Sequence, residues 1–121
     1  MKIGNDRVLG VLGGMGPLAS AQFMLRLTLL TPAHRDQDHI PTVLWSDPRI
    51  PDRTVAEPSE GSHPLPWLLR GLTALRSAGC GAIAIPCNTA HRWYQSMSEA
   101  TSLGVGSSKL ETWMAPMTVH P

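Results

Sequence analysis

Gly10-Val11-Leu12-Gly13-Gly14-Met15-Gly16-Pro17-Leu18-Ala19 is the stretch that decides the fold. Before it, residues 7–12 form a run rich in Val and Leu; after it, residues 18–30 are apolar with interspersed alanines. A β-favouring run, a cluster of glycines and an apolar helical run read as strand, tight turn and helix. Pro17 suits the first helical position, where its missing N–H costs no hydrogen bond. Leu18, Ala21, Leu25 and Leu29 recur at helical spacing and are expected to form the stripe that faces the core. Thr31-Pro32 stops the helix.

The same alternation continues outward. Residues 33–39 are polar loop, and residues 41–45 give a short β-branched strand ending in Ser46-Asp47-Pro48. Pro48, Pro51, Pro58, Pro64 and Pro66 make residues 49–66 a long irregular connection, and long loops within compact domains are usually functional or disordered. Trp67, Leu68, Leu69, Leu72 and Leu75 mark a second, amphipathic helix that Gly79 can cap. Residues 82–85 form a wholly apolar third strand, whose lack of alternation predicts burial on both faces. Ala90, Trp93 or Tyr94, Met97 and Ala100 fall on one side of a helix expected over about residues 89–100. Strands alternating with helices predict right-handed crossovers and a mostly parallel sheet in a three-layer αβα unit of the α/β class.

Composition narrows the function. The 121 residues suffice for one domain, and 42% hydrophobic content is ordinary for a globular chain. A formal net charge of +1 with 16% charged residues supplies no basic field for nucleic acid and no acidic tail, so the expected partner is a small molecule. The start, Met1-Lys2-Ile3-Gly4-Asn5-Asp6-Arg7, lacks the apolar core of a signal peptide, and no stretch approaches the roughly 20 apolar residues of a membrane span. The chain therefore reads as cytoplasmic, with no membrane partner.

Cys80 and Cys87 are the only cysteines, at a spacing that fits neither a zinc pattern nor a redox pair. Cys80 lies between Gly79 and Gly81 and reads as a small buried or turn residue. Cys87 instead follows the third strand, in Pro86-Cys87-Asn88-Thr89-Ala90-His91, where a helix is expected to begin. First-turn N–H groups favour negative charge, so a cysteine at such a place can be held partly as thiolate, with Asn88 and Thr89 adding donors for an anion. That arrangement suggests a base working on a carboxylate-bearing substrate.

Loops leaving the carboxyl ends of parallel strands converge on one rim. Here they are residues 13–16, 47–54 and 87–89. The first lacks the spacing of a dinucleotide site and the lysine of a P-loop. It is either a tight turn and nothing more, or a turn whose Met15 and Gly16 also line the pocket and touch substrate. Arg53, in Ile50-Pro51-Asp52-Arg53-Thr54, offers a planar fork for a carboxylate, against the alternative of a solvated loop arginine. Asp52 is expected to orient the loop or its arginine. His34, His39, His63 and His120 lack metal-ligand spacing and read as solvated, while His91 reads as packing, capping or support for the site. No metal is expected.

The glycine turn, then Thr31-Pro32-Ala33 with Arg35-Asp36-Gln37-Asp38-His39, then Ile50-Pro51-Asp52-Arg53-Thr54 and Pro86-Cys87-Asn88-Thr89-Ala90-His91, together resemble the aspartate racemase branch of the aspartate/glutamate racemase family. The resemblance runs from about Val8 to Ala100. It implies cofactor-independent racemisation of a small acidic amino acid, in a fold of two pseudo-symmetric α/β halves with the active site between them. It also implies two cysteines on opposite faces of the α-carbon. Cys87 matches the first; Arg53 matches the carboxylate-binding arginine; Asn88 and Thr89 match the positions that cradle a carboxylate. The partner cysteine and a substrate-contacting lysine belong to the family's second half, which has no counterpart here. Cys80 does not replace the partner, since a strand of four to six residues at about 3.3 Å each separates it from Cys87.

Two segments are thus expected: residues 1–101 as the racemase-like α/β domain, and residues 102–121 as a divergent tail without family resemblance or clean periodicity. An incomplete sheet with an unpaired edge favours association into a homo-oligomer or aggregation over a monomer. The competing functional readings are a non-catalytic carboxylate-binding half-domain and a related enzyme acting on hydantoins or maleate.

Overall fold

The computed structural model describes residues 8–55 and 57–103. The amino-terminal residues 1–7 and nearly all of the expected tail, residues 104–121, lie outside the described residues. Strands β1 (Leu9–Gly13), β2 (Thr42–Ser46) and β3 (Ala82–Ala84) form one sheet in the order β2-β1-β3. Both pairings are parallel: Leu9 lies opposite Thr42 and Ala82, and Val11 opposite Leu44 and Ala84. Helices α1 (Pro17–Leu30), α2 (Leu65–Ser77) and α3 (Tyr94–Leu103) alternate with the strands.

Alternate residues of a strand face opposite sides of its sheet, and close contacts identify which helix covers which side. A Cβ on Gly71 of α2 would come within 2.4 Å of Leu12 and 2.8 Å of Trp45. A Cβ on Gly13 would come within 2.4 Å of Ser20 of α1 and 3.3 Å of Leu44. Leu12 and Trp45 therefore face α2, while Gly13 and Leu44 face α1. α3 packs on α2. The result is the expected αβα unit, and Gly71 is the residue that lets α2 lie directly on the sheet.

The core sits on the α2 side, where Leu12, Leu68, Leu72, Leu75, Ile83, Ile85 and Met97 are almost wholly buried. Each such side chain contributes about 1.5–3 kcal/mol by leaving water. Gly79, at φ +91 just past the α2 terminus, supplies the left-handed turn expected of it. Pro66 does not delay α2. It occupies the first turn, where its absent N–H is not missed, so the helix starts within the segment expected to be irregular. His63 is not simply solvated: its Nδ1 accepts the Leu65 N–H at 3.2 Å at the start of α2, and its ring packs on Trp93 with centroids 4.7 Å apart.

α1 corrects the sequence reading. Leu18, Leu25 and Leu29, expected to face the core, are 70%, 58% and 72% exposed, and Ala21 is exposed with them. The sheet-facing side carries buried Ser20 with half-buried Ala19, Phe23, Met24 and Leu27. The helix is apolar nearly all round, so periodicity finds a stripe without deciding which stripe faces inward. Ser20 decides it: its hydroxyl accepts the Gly14 N–H at 3.1 Å and donates to the Pro17 carbonyl at 3.0 Å, which fixes the rotation of the first turn. A second correction concerns the last helix. Residues Thr89–Trp93 form a 3₁₀ turn, and α3 begins only at Tyr94. α3 then runs through Leu103, past the boundary expected after residue 101. Among the described residues no helix is long and apolar enough to cross a membrane.

Candidate active site

The loops following β1 and β3 meet at the carboxyl rim of the sheet around a cavity of about 230 Å³, lined by Met15, Ala19, Pro86, Cys87, Asn88 and Thr89. Four of the residues expected at the site therefore share one pocket. Gly16 does not line it; it stands exposed at the start of α1, where an added Cβ would meet nothing within 4 Å. Ala19, which sequence reading passed over, lies one turn into α1 on the pocket side.

Cys87 is half-buried, and its Sγ lies 3.2 Å from the Thr89 hydroxyl. Its backbone N–H is turned back onto the Ile85 carbonyl at 2.8 Å, which bends the chain sharply after β3. Asn88 caps the 3₁₀ turn and its carbonyl accepts the His91 N–H at 3.1 Å. The polar neighbour of the Cys87 sulfur is thus the Thr89 hydroxyl, at the head of a short 3₁₀ turn and not of a long α-helix. Cys80 contrasts with Cys87. It is 1% exposed, and burial pushes its thiol up from the ordinary range, so it holds its proton.

Arg53 reaches the pocket wall from the loop after β2. Its Nη2 donates to the Met15 carbonyl at 3.2 Å and its Nη1 to the Pro51 carbonyl at 3.4 Å, while its buried Nε has no hydrogen-bond partner. The guanidinium is seated beside the pocket, held against its wall by the Met15 carbonyl. Asp52 orients the loop, as expected: its Oδ1 accepts both the N–H of Thr54, at 2.9 Å, and its hydroxyl, at 2.7 Å. Those two bonds hold the Asp52 carboxyl below the usual carboxylate range.

Further residues brace the rim. Gly14, at φ +93, lies so close to the Asp47 backbone that a Cβ would fall 2.3 Å from its nitrogen. Asp47 is 5% exposed, and its carboxylate accepts two bonds from the Arg49 guanidinium, at 2.9 and 3.0 Å, which hold it below the usual range. Arg92, in the turn after Cys87, donates to the Val55 carbonyl and lies over the Trp93 ring, tying the Arg53 loop to the Cys87 turn. Neither Arg92 nor Ser20 stands out in the sequence as a site residue. The one signal available was a serine in the first turn of a mostly apolar helix.

A cysteine, an alcohol and an arginine thus stand at one rim of a parallel αβα unit. Comparison with known proteins gives the family. The Asp/Glu/Hydantoin racemase family profile matches residues 12–107, and the chain belongs to that family. It is 29% identical over 102 residues to the broad specificity amino-acid racemase RacX of Bacillus subtilis strain 168, a match covering 79% of this chain and 43% of that protein. Among solved structures it resembles the Picrophilus torridus aspartate racemase, with a TM-score of 0.72 and 37% identity over 88% of this chain and 43% of that one. An aspartate racemase homologue from Pyrococcus horikoshii OT3 shares the fold at a TM-score of 0.66 and 15% identity, with the same coverage. The chain spans less than half the length of each of these relatives.

Proposed function

We propose that this chain is the Cys87-bearing half of a cofactor-independent amino-acid racemase acting on aspartate or a similar acidic amino acid. The observation that carries the reading is the placement of the Cys87 sulfur in a pocket with the Thr89 hydroxyl 3.2 Å away and the Arg53 guanidinium bonded to the pocket's Met15 wall.

The chemistry follows from that placement. An α-proton becomes removable when the charge left on the substrate spreads into a carboxylate held by preorganised donors. Arg53 and the polar groups of Asn88 and Thr89 would hold that carboxylate. The Cys87 thiolate would take the α-proton and become a thiol, leaving the electron pair on the substrate carbon and its carboxylate. Inversion then requires an acid on the opposite face to deliver a proton, and this chain supplies one face only. The complementary half supplies the other, so the whole enzyme needs both.

Alkylation by iodoacetamide at neutral pH tests the pocket on the chain as it is. Cys87 is expected to label first, and L-aspartate to slow that labelling in a saturable way, with Arg53→Lys abolishing the protection although the charge is kept. Incubation with L-aspartate in heavy water tests the chemistry: this chain alone is expected to give no D-aspartate. Faster labelling of Cys80 in the folded protein, or labelling of Cys87 indifferent to any dicarboxylic amino acid, would overturn the reading in favour of a pocket without this substrate. D-aspartate formed by the isolated chain and dependent on Cys87 would overturn the requirement for a second half.

A further inference from the structure

The Arg53 guanidinium is bonded at the pocket to two main-chain carbonyls, Met15 at 3.2 Å and Pro51 at 3.4 Å. Bonds of that length hold a side chain loosely, so the placement of Arg53 depends on the loop that carries it. Upstream, that loop is pinned at Asp47, which accepts two bonds from Arg49 and lies against the Gly14 backbone. Downstream, the Val55 carbonyl accepts a bond from Arg92, 37 positions further along the chain. We propose that Arg92 is a positioning residue for the site: it latches the Arg53 loop to the turn that carries Thr89 beside Cys87, and so holds the Arg53 guanidinium at its working distance from the Cys87 sulfur.

The form of the turn makes the latch possible. Thr89–Trp93 is a 3₁₀ segment, and at three residues per turn positions i and i+3 stand one above the other. Thr89 and Arg92 therefore share one side of it, the first 3.2 Å from the Cys87 sulfur and the second on the Arg53 loop. In an α-helix the same two positions would be turned about 60° apart.

The latch is also anchored from behind. Arg92 is exposed, and exposure alone would read as a solvated side chain, but its guanidinium lies over the Trp93 ring, 4.6 Å from the centroid. Trp93 in turn packs on the His63 ring, 4.7 Å away, whose Nδ1 accepts the Leu65 N–H at the head of α2. A guanidinium stacked on an aromatic face has less freedom to lose when it forms a hydrogen bond. Val55 is thereby tied, through Arg92 and two rings, to the helix that carries the core. The Asp52 carboxylate, bonded to the N–H and hydroxyl of Thr54, stiffens the short path from Val55 back to Arg53.

This role for Arg92 rests on the racemase reading of Arg53, and its test needs no substrate. Iodoacetate is an anion and iodoacetamide is neutral, so the ratio of their alkylation rates at Cys87 in the full chain reads the positive charge beside the sulfur. Arg53→Met is expected to lower that ratio roughly threefold, the Coulomb effect of one charge in water across a pocket of this size. Arg92→Met is expected to lower it toward the Arg53→Met value, and the double variant to fall no further than Arg53→Met alone, because Arg92 acts through Arg53. Arg92→Lys, which keeps the charge and one donor without the planar fork, is expected to lie between wild type and Arg92→Met. Trypsin cleavage after Arg53 is expected to speed up in Arg92→Met as the loop comes free. A merely structural arginine would lower the urea midpoint and leave the ratio alone. A ratio unchanged by Arg92→Met, a further fall in the double variant, or an unchanged rate of cleavage after Arg53 overturns the latch while leaving Arg53 in its role. A ratio unchanged by Arg53→Met overturns the racemase reading of Arg53 and the latch with it.

Discussion

The two helical layers of this unit are built on opposite terms. α2 is amphipathic: Leu68, Leu72 and Leu75 go to the sheet, while Arg70, Thr73 and Ser77 face water. α1 sends Ser20, with half-buried Phe23, Met24 and Leu27, to the sheet and leaves Leu18, Leu25, Leu29 and Leu30 outside. α2 is held by apolar burial. α1 is oriented by the hydrogen bonds of Ser20 to the glycine turn, the same turn that forms one wall of the pocket. The lesson is that an apolar stripe of helical period shows that some face is buried in something, and only a second, polar constraint shows in what.

The largest expected difference between the layers is in core truncation. Leu72→Ala in α2 is expected to destabilise the fold by about 2–5 kcal/mol, the usual range for opening a cavity at a wholly buried leucine. Leu25→Ala in α1 is expected to change stability by no more than about 0.5 kcal/mol, because that side chain is 58% exposed. Urea unfolding of both variants checks the pair. A comparable loss from Leu25→Ala would mean that α1 packs through its outer stripe after all.

This contrast also marks what was legible in the sequence. α2 was legible because its apolar and polar residues separate cleanly around the helix, and β3 because Ile83, Ala84 and Ile85 form an unbroken buried run. The rotation of α1 was not, since a helix with apolar residues on both of its faces carries no clear signal of orientation. The pocket was legible from topology plus residue type: glycine turn, cysteine turn and arginine loop leave the same rim. What escaped was the bracing. Asp47 against Gly14, Ser20 under the turn and Arg92 on Val55 are contacts between segments far apart in sequence or set by side-chain direction, and spacing encodes neither.

Ser20→Ala sharpens the account of α1 at intermediate cost. It leaves the buried Gly14 N–H without its acceptor, a loss of about 1–3 kcal/mol, and frees the turn that carries Met15. Because Met15 also accepts from Arg53, the effect should reach the site: saturable protection of Cys87 by L-aspartate should weaken along with stability. Ser20→Thr, which keeps the hydroxyl, should recover more of both. Unfolding and labelling measured on the same samples decide whether Ser20 acts through the turn or merely fills space.

The smallest expected difference is in response to acid, and it too divides the layers, since α1 contains no acid and no histidine. His91 lies in the turn before α3, where burial pushes its imidazole below the ordinary 6.5 and its Nε2 has no partner. A folded state that holds the imidazole neutral binds fewer protons than the unfolded chain once the pH drops below that ordinary value. Its share of stability is therefore complete above about pH 6.5 and is lost as the pH falls from there through the lowered folded value. Asp47, held below 3.8 by Arg49, acts in the same direction in a separate, more acidic window. His91→Gln cannot take up a proton, so it should flatten the stability profile just below pH 6.5 while leaving the loss below pH 4 intact. Urea midpoints measured across pH check this, and a profile in that upper window unchanged by the substitution would assign the acid sensitivity there to another histidine.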